Sequence, residues 1–223
     1  INYIQWQTSL VKELRYYARI TGKRVVKSIF FGGGTPSLMP PSIVEEIINE
    51  IEKHFNINTN TEITLEANPT SAESNRFKEF ARAGINRVSL GVQALDDDAL
   101  NFLGRNHTLL EAEKAIDMTG STFDRYSFDL IYNRPKQSVE MWVNELQKAI
   151  KMARNHISVY QLTIEPGTPF YLLLARGALK LPNEGTSASL YEITQEVLSN
   201  AGMYAYEISN QIYFDGLQMR TDI

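Results

Sequence analysis

Cysteine is missing from all 223 residues. No disulfide can form within the chain, and no thiolate is present to hold zinc or an iron–sulfur cluster. Histidine is nearly as scarce. His54, His107 and His156 lie in different segments, and none forms the His-x-x-x-His spacing of a helical zinc site. No Ser/His/Asp arrangement follows from spacing either. No apolar run reaches the roughly 18 residues of a membrane span. The opening residues lack the pattern of a secretory signal, so a cytoplasmic location is expected. Positive charge is not in surplus: 22 basic against 26 acidic residues leave a net charge of −4 and a pI near 5.5. General nucleic-acid binders are ordinarily basic, so nucleic acid is not an expected partner.

What is present is the composition of an ordinary globular protein, 43% apolar and 22% charged. There is no internal repeat, low-complexity tract or long linker, and the length suits one large domain with a piece appended from about residue 177. Tyr3, Trp6, Leu10, Leu14 and Tyr17 are spaced for one face of a helix over 3–20. Val25 to Phe31 reads as a short buried strand ended by Gly32-Gly33-Gly34. Pro40-Pro41-Ser42 opens the next helix, with Ser42 and Glu45 as a capping box. Strands follow at 62–66, 87–92, 126–132, 157–162 and 204–208. Helices fall between them at 71–83, 96–103, 108–119, 138–152, 168–176 and 186–200. Such alternation predicts a mainly parallel sheet with helical crossovers. A closed or partial (β/α) barrel and an open doubly wound sheet both satisfy it.

Parallel α/β folds collect chemistry at the carboxyl ends of their strands. Here those ends carry Gly32-Gly33-Gly34-Thr35-Pro36, then Glu66-Ala67-Asn68-Pro69, then Gly91-Val92-Gln93. Asp129 interrupts an otherwise apolar strand, and Thr163 to Thr168 follow the fifth. Taken singly, the glycines read as a turn, Glu66 as a surface acid, and Arg105 as a solvated helix-end charge. Gathered at one mouth, they suit a ligand with an ammonium group, a carboxylate and ribose hydroxyls. Glu66 would take the ammonium or a hydroxyl, Gln93 and Asp129 hydroxyls, and Arg105 the carboxylate. The glycine turn would let the ligand, or alternatively a phosphate ester, approach the backbone.

The motifs Phe30-Phe31-Gly32-Gly33-Gly34-Thr35-Pro36-Ser37, Leu65 to Pro69, Ser89 to Gln93 and Phe128 to Tyr132 resemble a known family in order and spacing. It is that of the radical S-adenosylmethionine (SAM) enzymes related to oxygen-independent coproporphyrinogen III oxidase. The resemblance runs from about residue 2 to 210. His156 to Phe170 and Tyr206 to Asn210 look like the branch that inserts heme into client proteins, rather than the branch that decarboxylates coproporphyrinogen in porphyrin biosynthesis.

The resemblance implies an α/β fold, a partial (β/α)6 TIM-like barrel over residues 1–176 that lacks its first strand. A small C-terminal α/β extension would begin at 177–223. It implies SAM across the strand ends, with Gly33, Gly34 and Thr35 at the methionine end beside Glu66. Gln93, Arg105 and Asp129 would hold ribose and carboxylate, and Thr163 would lie near the adenosine. It further implies heme or porphyrin as ligand and heme-accepting clients as partners. Membrane contact would be peripheral, through those clients.

Three departures accompany it. The family's CxxxCxxC loop, which ligates a [4Fe–4S] cluster in the complete protein, has no counterpart here. Both a piece of a longer protein and a cluster-free, non-catalytic remnant fit that difference. A His-Asn…Tyr-Trp segment is replaced by Gln211-Ile212-Tyr213-Phe214-Asp215. Lys136 stands where glycine is expected after Pro135.

Overall fold

A strand whose side chains alternate between two faces needs only one of them to be apolar if helices cover only that face. The strands of this chain follow that rule. The computed structural model describes residues 2–213, the side chains of residues 71 and 72 excepted. The tail 214–223, assigned above to the C-terminal extension, lies outside the described residues. In chain order the elements are α1 (Tyr3–Thr21), β1 (Ser28–Phe31), a 3-10 turn (Pro36–Leu38), α2 (Pro41–His54), β2 (Glu62–Ala67), α3 (Ser71–Ser74), α4 (Phe77–Arg82) and β3 (Arg87–Gln93). Next come α5 (Asp97–Phe102), α6 (Leu109–Thr122), β4 (Arg125–Tyr132), α7 (Val139–Met152), β5 (His156–Gln161), α8 (Pro169–Ala175), α9 (Glu184–Asn200), β6 (Met203–Ala205) and β7 (Asn210–Tyr213). The mixed α/β fold with parallel strands expected from the sequence is borne out.

Two units make up the chain: Ile1–Gly91 with Leu110–Tyr126, and Val92–Leu109 with Ser127–Ile223. In the first, β1 runs parallel to β2 with Ser28 opposite Glu62, and β2 parallel to β3 with Thr64 opposite Arg87. Ile63, Leu65 and Ala67 of β2 and Val88 and Leu90 of β3 are buried. The residues between them, Glu62, Thr64, Glu66, Arg87 and Ser89, form the opposite, polar face. Ile43, Ile47 and Ile51 of α2 pack with Ile29 and Phe31 of β1 and with Tyr3, Leu10 and Leu14 of α1. Each such isoleucine contributes about 1.5–3 kcal/mol on burial.

In the second unit β4 runs parallel to β5, with Asp129 opposite Ser158. Strand β7 joins β5 antiparallel, and β6 joins β7. This β6–β7 hairpin replaces the single strand expected at 204–208, because Glu207 and Ser209 turn the chain between them. Trp142, Leu146, Leu190 and Leu198 are fully buried between α7 and α9. The Trp142 indole N–H donates to Thr194 Oγ1 at 2.7 Å, so the largest core side chain has its polar atom satisfied.

Several local expectations are corrected. The regular part of β1 is shorter than expected. It begins at Ser28, with Val25 contributing one isolated bridge to Asn56. The capping box does not form. Helix α2 starts at Pro41 with no side-chain cap, because proline's fixed φ and missing N–H already suit the first helical position. The helix expected over 71–83 is broken into α3 and α4 at Asn75-Arg76. On α1, Tyr3, Leu10 and Leu14 face the core, but Trp6 and Tyr17 remain 59% and 50% exposed. Half-buried Gln7 and Ala18 stand one residue beyond them.

Helix α1 is held to α2 by charge as well as by packing. Glu50, almost fully buried, accepts from Arg15 Nε at 2.6 Å, Lys53 Nζ at 3.0 Å and the His54 ring at 3.0 Å. The bond from Arg15, with help from Lys53, lowers the Glu50 carboxyl from an ordinary 4.5 to about 2. An acid whose folded value is depressed stabilises fully above its unfolded value, and loses that contribution as pH falls through the folded value. Stability should therefore decline from about pH 4.5 towards about pH 2, and Glu50→Gln should flatten that limb in urea unfolding. An unchanged acid slope in the variant would contradict the clamp.

Candidate functional site

The loop after β1 is built to leave backbone exposed. Gly33 and Gly34 have φ of +80° and +47°, a region that side chains disfavour. A Cβ on either would meet nothing within 4 Å, so open space lies against both. Gly32 is crowded rather than open. A Cβ there would come within 2.7 Å of the Phe30 ring and 3.3 Å of Glu66 Oε2. The Gly33 N–H donates to Glu66 Oε2 at 3.2 Å. The structure thus brings together the glycine turn and the strand-end acid that the sequence singled out. Thr35 ends the turn, half-buried, and its carbonyl accepts from the Leu38 N–H at 3.1 Å.

A second carboxylate holds this turn in place. Glu73 is 5% exposed. It accepts from the Ser37 hydroxyl, from the Asn68 N–H at 2.9 Å, from Asn68 Nδ2 at 3.3 Å and from Thr70 Oγ1 at 3.3 Å. Arg76 donates to the Ser37 and Met39 carbonyls at 3.0 and 2.6 Å. These bonds tie the loop after β1 to the loop after β2, and they explain why the helix breaks at Arg76. Glu73 and Arg76 gave no signal in sequence, where a polar residue on a helix reads as solvated.

In the second unit, Gln93 ends β3 at φ +72°. A non-glycine residue in that region costs about 1–3 kcal/mol and is kept where surroundings impose it. The imposing contacts lie on either side. The buried His107 ring donates from Nε2 to the Val92 carbonyl at 3.0 Å. The Leu95 N–H donates to Glu145 Oε1 at 2.7 Å, and Glu145 is paired with Arg134. Burial pushes the Glu145 carboxyl up, against the pull of Arg134.

Arg105 lies two residues before His107, half-buried, with its N–H donating to the Leu100 carbonyl at 2.9 Å. His107 therefore links the Arg105 loop to the end of β3. Phe102 in the same region stacks on Phe170, their ring centroids 4.8 Å apart. Asp129 is half-buried at the middle of β4, on the face shared with Ser127 and Ile131. Thr163 is exposed after β5, its hydroxyl 3.4 Å from the Gln161 carbonyl. Lys136 adopts φ +61° and Asn133 +65°, so the position where glycine was expected does take a left-handed conformation.

Among the described residues no group of His, Asp or Glu could hold a metal ion, and no helix is long and apolar enough to cross a membrane.

Comparison with known proteins adds three findings. The model of the radical SAM superfamily matches residues 5–149. The mitochondrial radical S-adenosyl methionine domain-containing protein 1 of Mus musculus is 41% identical over 202 residues, 90% of this chain and 46% of that protein. The heme chaperone HemW of Buchnera aphidicola is 39% identical over 201 residues, 90% of this chain and 52% of that one. This chain spans about half the length of these curated relatives. Among solved structures, the coproporphyrinogen III oxidase HemN of Escherichia coli superimposes with a TM-score of 0.81. That match covers 96% of this chain and 49% of that one at 22% identity, a likeness of fold.

The Glu73 network predicts that Glu73→Ala costs about 1–3 kcal/mol, since several buried donors lose their acceptor. In urea unfolding this should exceed the loss from exposed Glu79→Ala. Equal, small losses would mean that the turn is held by something else.

Proposed function

The chain belongs to the radical SAM superfamily, and we propose that it is the SAM-binding portion of a heme chaperone, a protein that receives heme and passes it to clients. The observation that carries the cofactor half is the open, positive-φ turn at Gly33-Gly34 with Glu66 on its N–H. That cradle fits a ligand lying directly on backbone. In this reading Gly33, Gly34 and Thr35 bind the methionine end, and Glu66 fixes its ammonium. Gln93 and Asp129 bind ribose hydroxyls, Arg105 the carboxylate, and Thr163 lies at the adenosine. SAM supplies an activated carbon–sulfur bond when bound. The protein's part is to orient it.

A [4Fe–4S] cluster does not fit these 223 residues, which contain no thiolate. The chaperone half rests on the names of relatives near 40% identity, several of them HemW. Likeness to the oxidase concerns fold alone. In this reading residues 1–176 form the cofactor-binding barrel and 177–223 the start of the C-terminal extension, heme is the ligand, and heme-accepting proteins are the partners. A cytoplasmic location belongs to it as well, alongside animal relatives named mitochondrial.

Glu66→Gln and Asp129→Asn should each weaken SAM binding by about 1–3 kcal/mol in equilibrium titration, the value of a hydrogen bond to a charged group. Thermal unfolding of each variant controls for folding. Unchanged affinity in both would remove the assigned site. The protein from its intact gene should take up heme in an absorbance titration. Carbon dioxide release from coproporphyrinogen without heme uptake would contradict the chaperone reading.

A further inference from the structure

Charge in this acidic chain is unevenly placed. Residues 1–31 contain Lys12, Arg15, Arg19, Lys23, Arg24 and Lys27 against a single acid, Glu13, within a total of −4. Three of these cations line a groove of about 600 Å³ beside α1, together with Gln7, Glu46 and His54. Lys12, Arg15 and Arg19 are three and four residues apart, one face of a helix. They extend over about 10 Å at 1.5 Å per residue.

The acids present are already engaged. Glu50 is held by Arg15, Lys53 and His54, and Glu46 accepts from Gln7. Arg15 meets Glu50 through Nε, and its side chain remains 57% exposed. Neither Lys12 nor Arg19 takes part in the Arg15–Glu50 pair that joins α1 to α2. Glu46 and Glu50 offset part of this positive charge, and the three cations still outnumber them. Val11 and the methylene stems of the long side chains supply the apolar part of the lining.

We propose that this groove binds a linear oligophosphate, with Arg15 as the central bidentate contact and Lys12 and Arg19 on the groups to either side. Guanidinium forks match phosphate oxygens in pairs, and the ammonium adds a point charge. Two or more phosphates in line fill the 10 Å row better than one. The same chemistry is offered by a free triphosphate and by a multiply phosphorylated lipid headgroup. The site is separate from the glycine turn and stands whether or not SAM binds there.

The test is calorimetric titration of the chain with inorganic triphosphate in metal-free, low-salt buffer, followed in parallel by Trp6 fluorescence, since Trp6 is exposed on α1. Saturable one-to-one binding is expected. It should be weakened by roughly tenfold or more in Lys12→Gln/Arg19→Gln and unchanged in the charge-matched Lys148→Gln/Lys151→Gln on α7. The altered α1 residues make no contact in the Glu50 clamp, so thermal unfolding should not change. A second arm uses vesicles carrying a bisphosphorylated inositol headgroup. Retention on vesicles that Lys12→Gln/Arg19→Gln abolishes, without affinity for free triphosphate, assigns the site to a lipid source. Binding in neither arm, or equal losses in the two double variants, overturns the proposal.

Discussion

One face of each main strand is committed to helices, and the placement of the polar residues along each strand follows from that commitment. Ile63, Leu65 and Ala67 of β2 and Val88, Leu90 and Val92 of β3 are buried. With a side-chain period of two, Glu66 and Gln93 are forced onto the other face. A slip of one residue in register would bury both in the apolar layer, at a cost far above what the strand gains. The positions of Glu66 and Gln93 on their strands are thus set by packing, before any ligand is considered.

Within that frame, the loops at the strand ends are braced rather than free. Glu73 and Arg76 fasten the glycine turn. His107, Glu145 and Arg134 fasten the segments around Gln93. Glu73 is a buried carboxylate that accepts from Ser37, Asn68 and Thr70, and a buried polar group satisfied in this way rigidifies the loops it joins. A cofactor that must lie on exposed backbone needs such bracing, since a turn rich in glycine would otherwise lose its ordered shape to entropy. The bracing also accounts for a strained Gln93, whose backbone is held through Val92 on one side and Leu95 on the other.

Much of this was legible in sequence because the signals were local. Glycine runs, strand-end acids and the order of motifs depend on nearby residues, and they placed Gly33, Gly34, Thr35 and Glu66 where the structure has them. The parallel α/β architecture followed from periodicity in the same way. What stayed hidden depends on distant partners. Glu73 and Glu145 look like helical surface acids until the loops they serve are in place. The positive φ of Gln93 leaves no mark in a residue type that seldom adopts it. On α1 the aromatic spacing pointed to Trp6 and Tyr17. Tyr3, Leu10 and Leu14 instead meet the isoleucines of α2, and Arg15 reaches Glu50 from the same helix.

The measurement closest to the central claim is mapping of backbone amide shifts as SAM is added to the chain. The account predicts dose-dependent changes at Gly33, Gly34 and Thr35, accompanied by changes at Glu66 and Gln93. Shifts confined to other residues, or none at saturating SAM, would contradict the assignment of the glycine turn as the cofactor cradle.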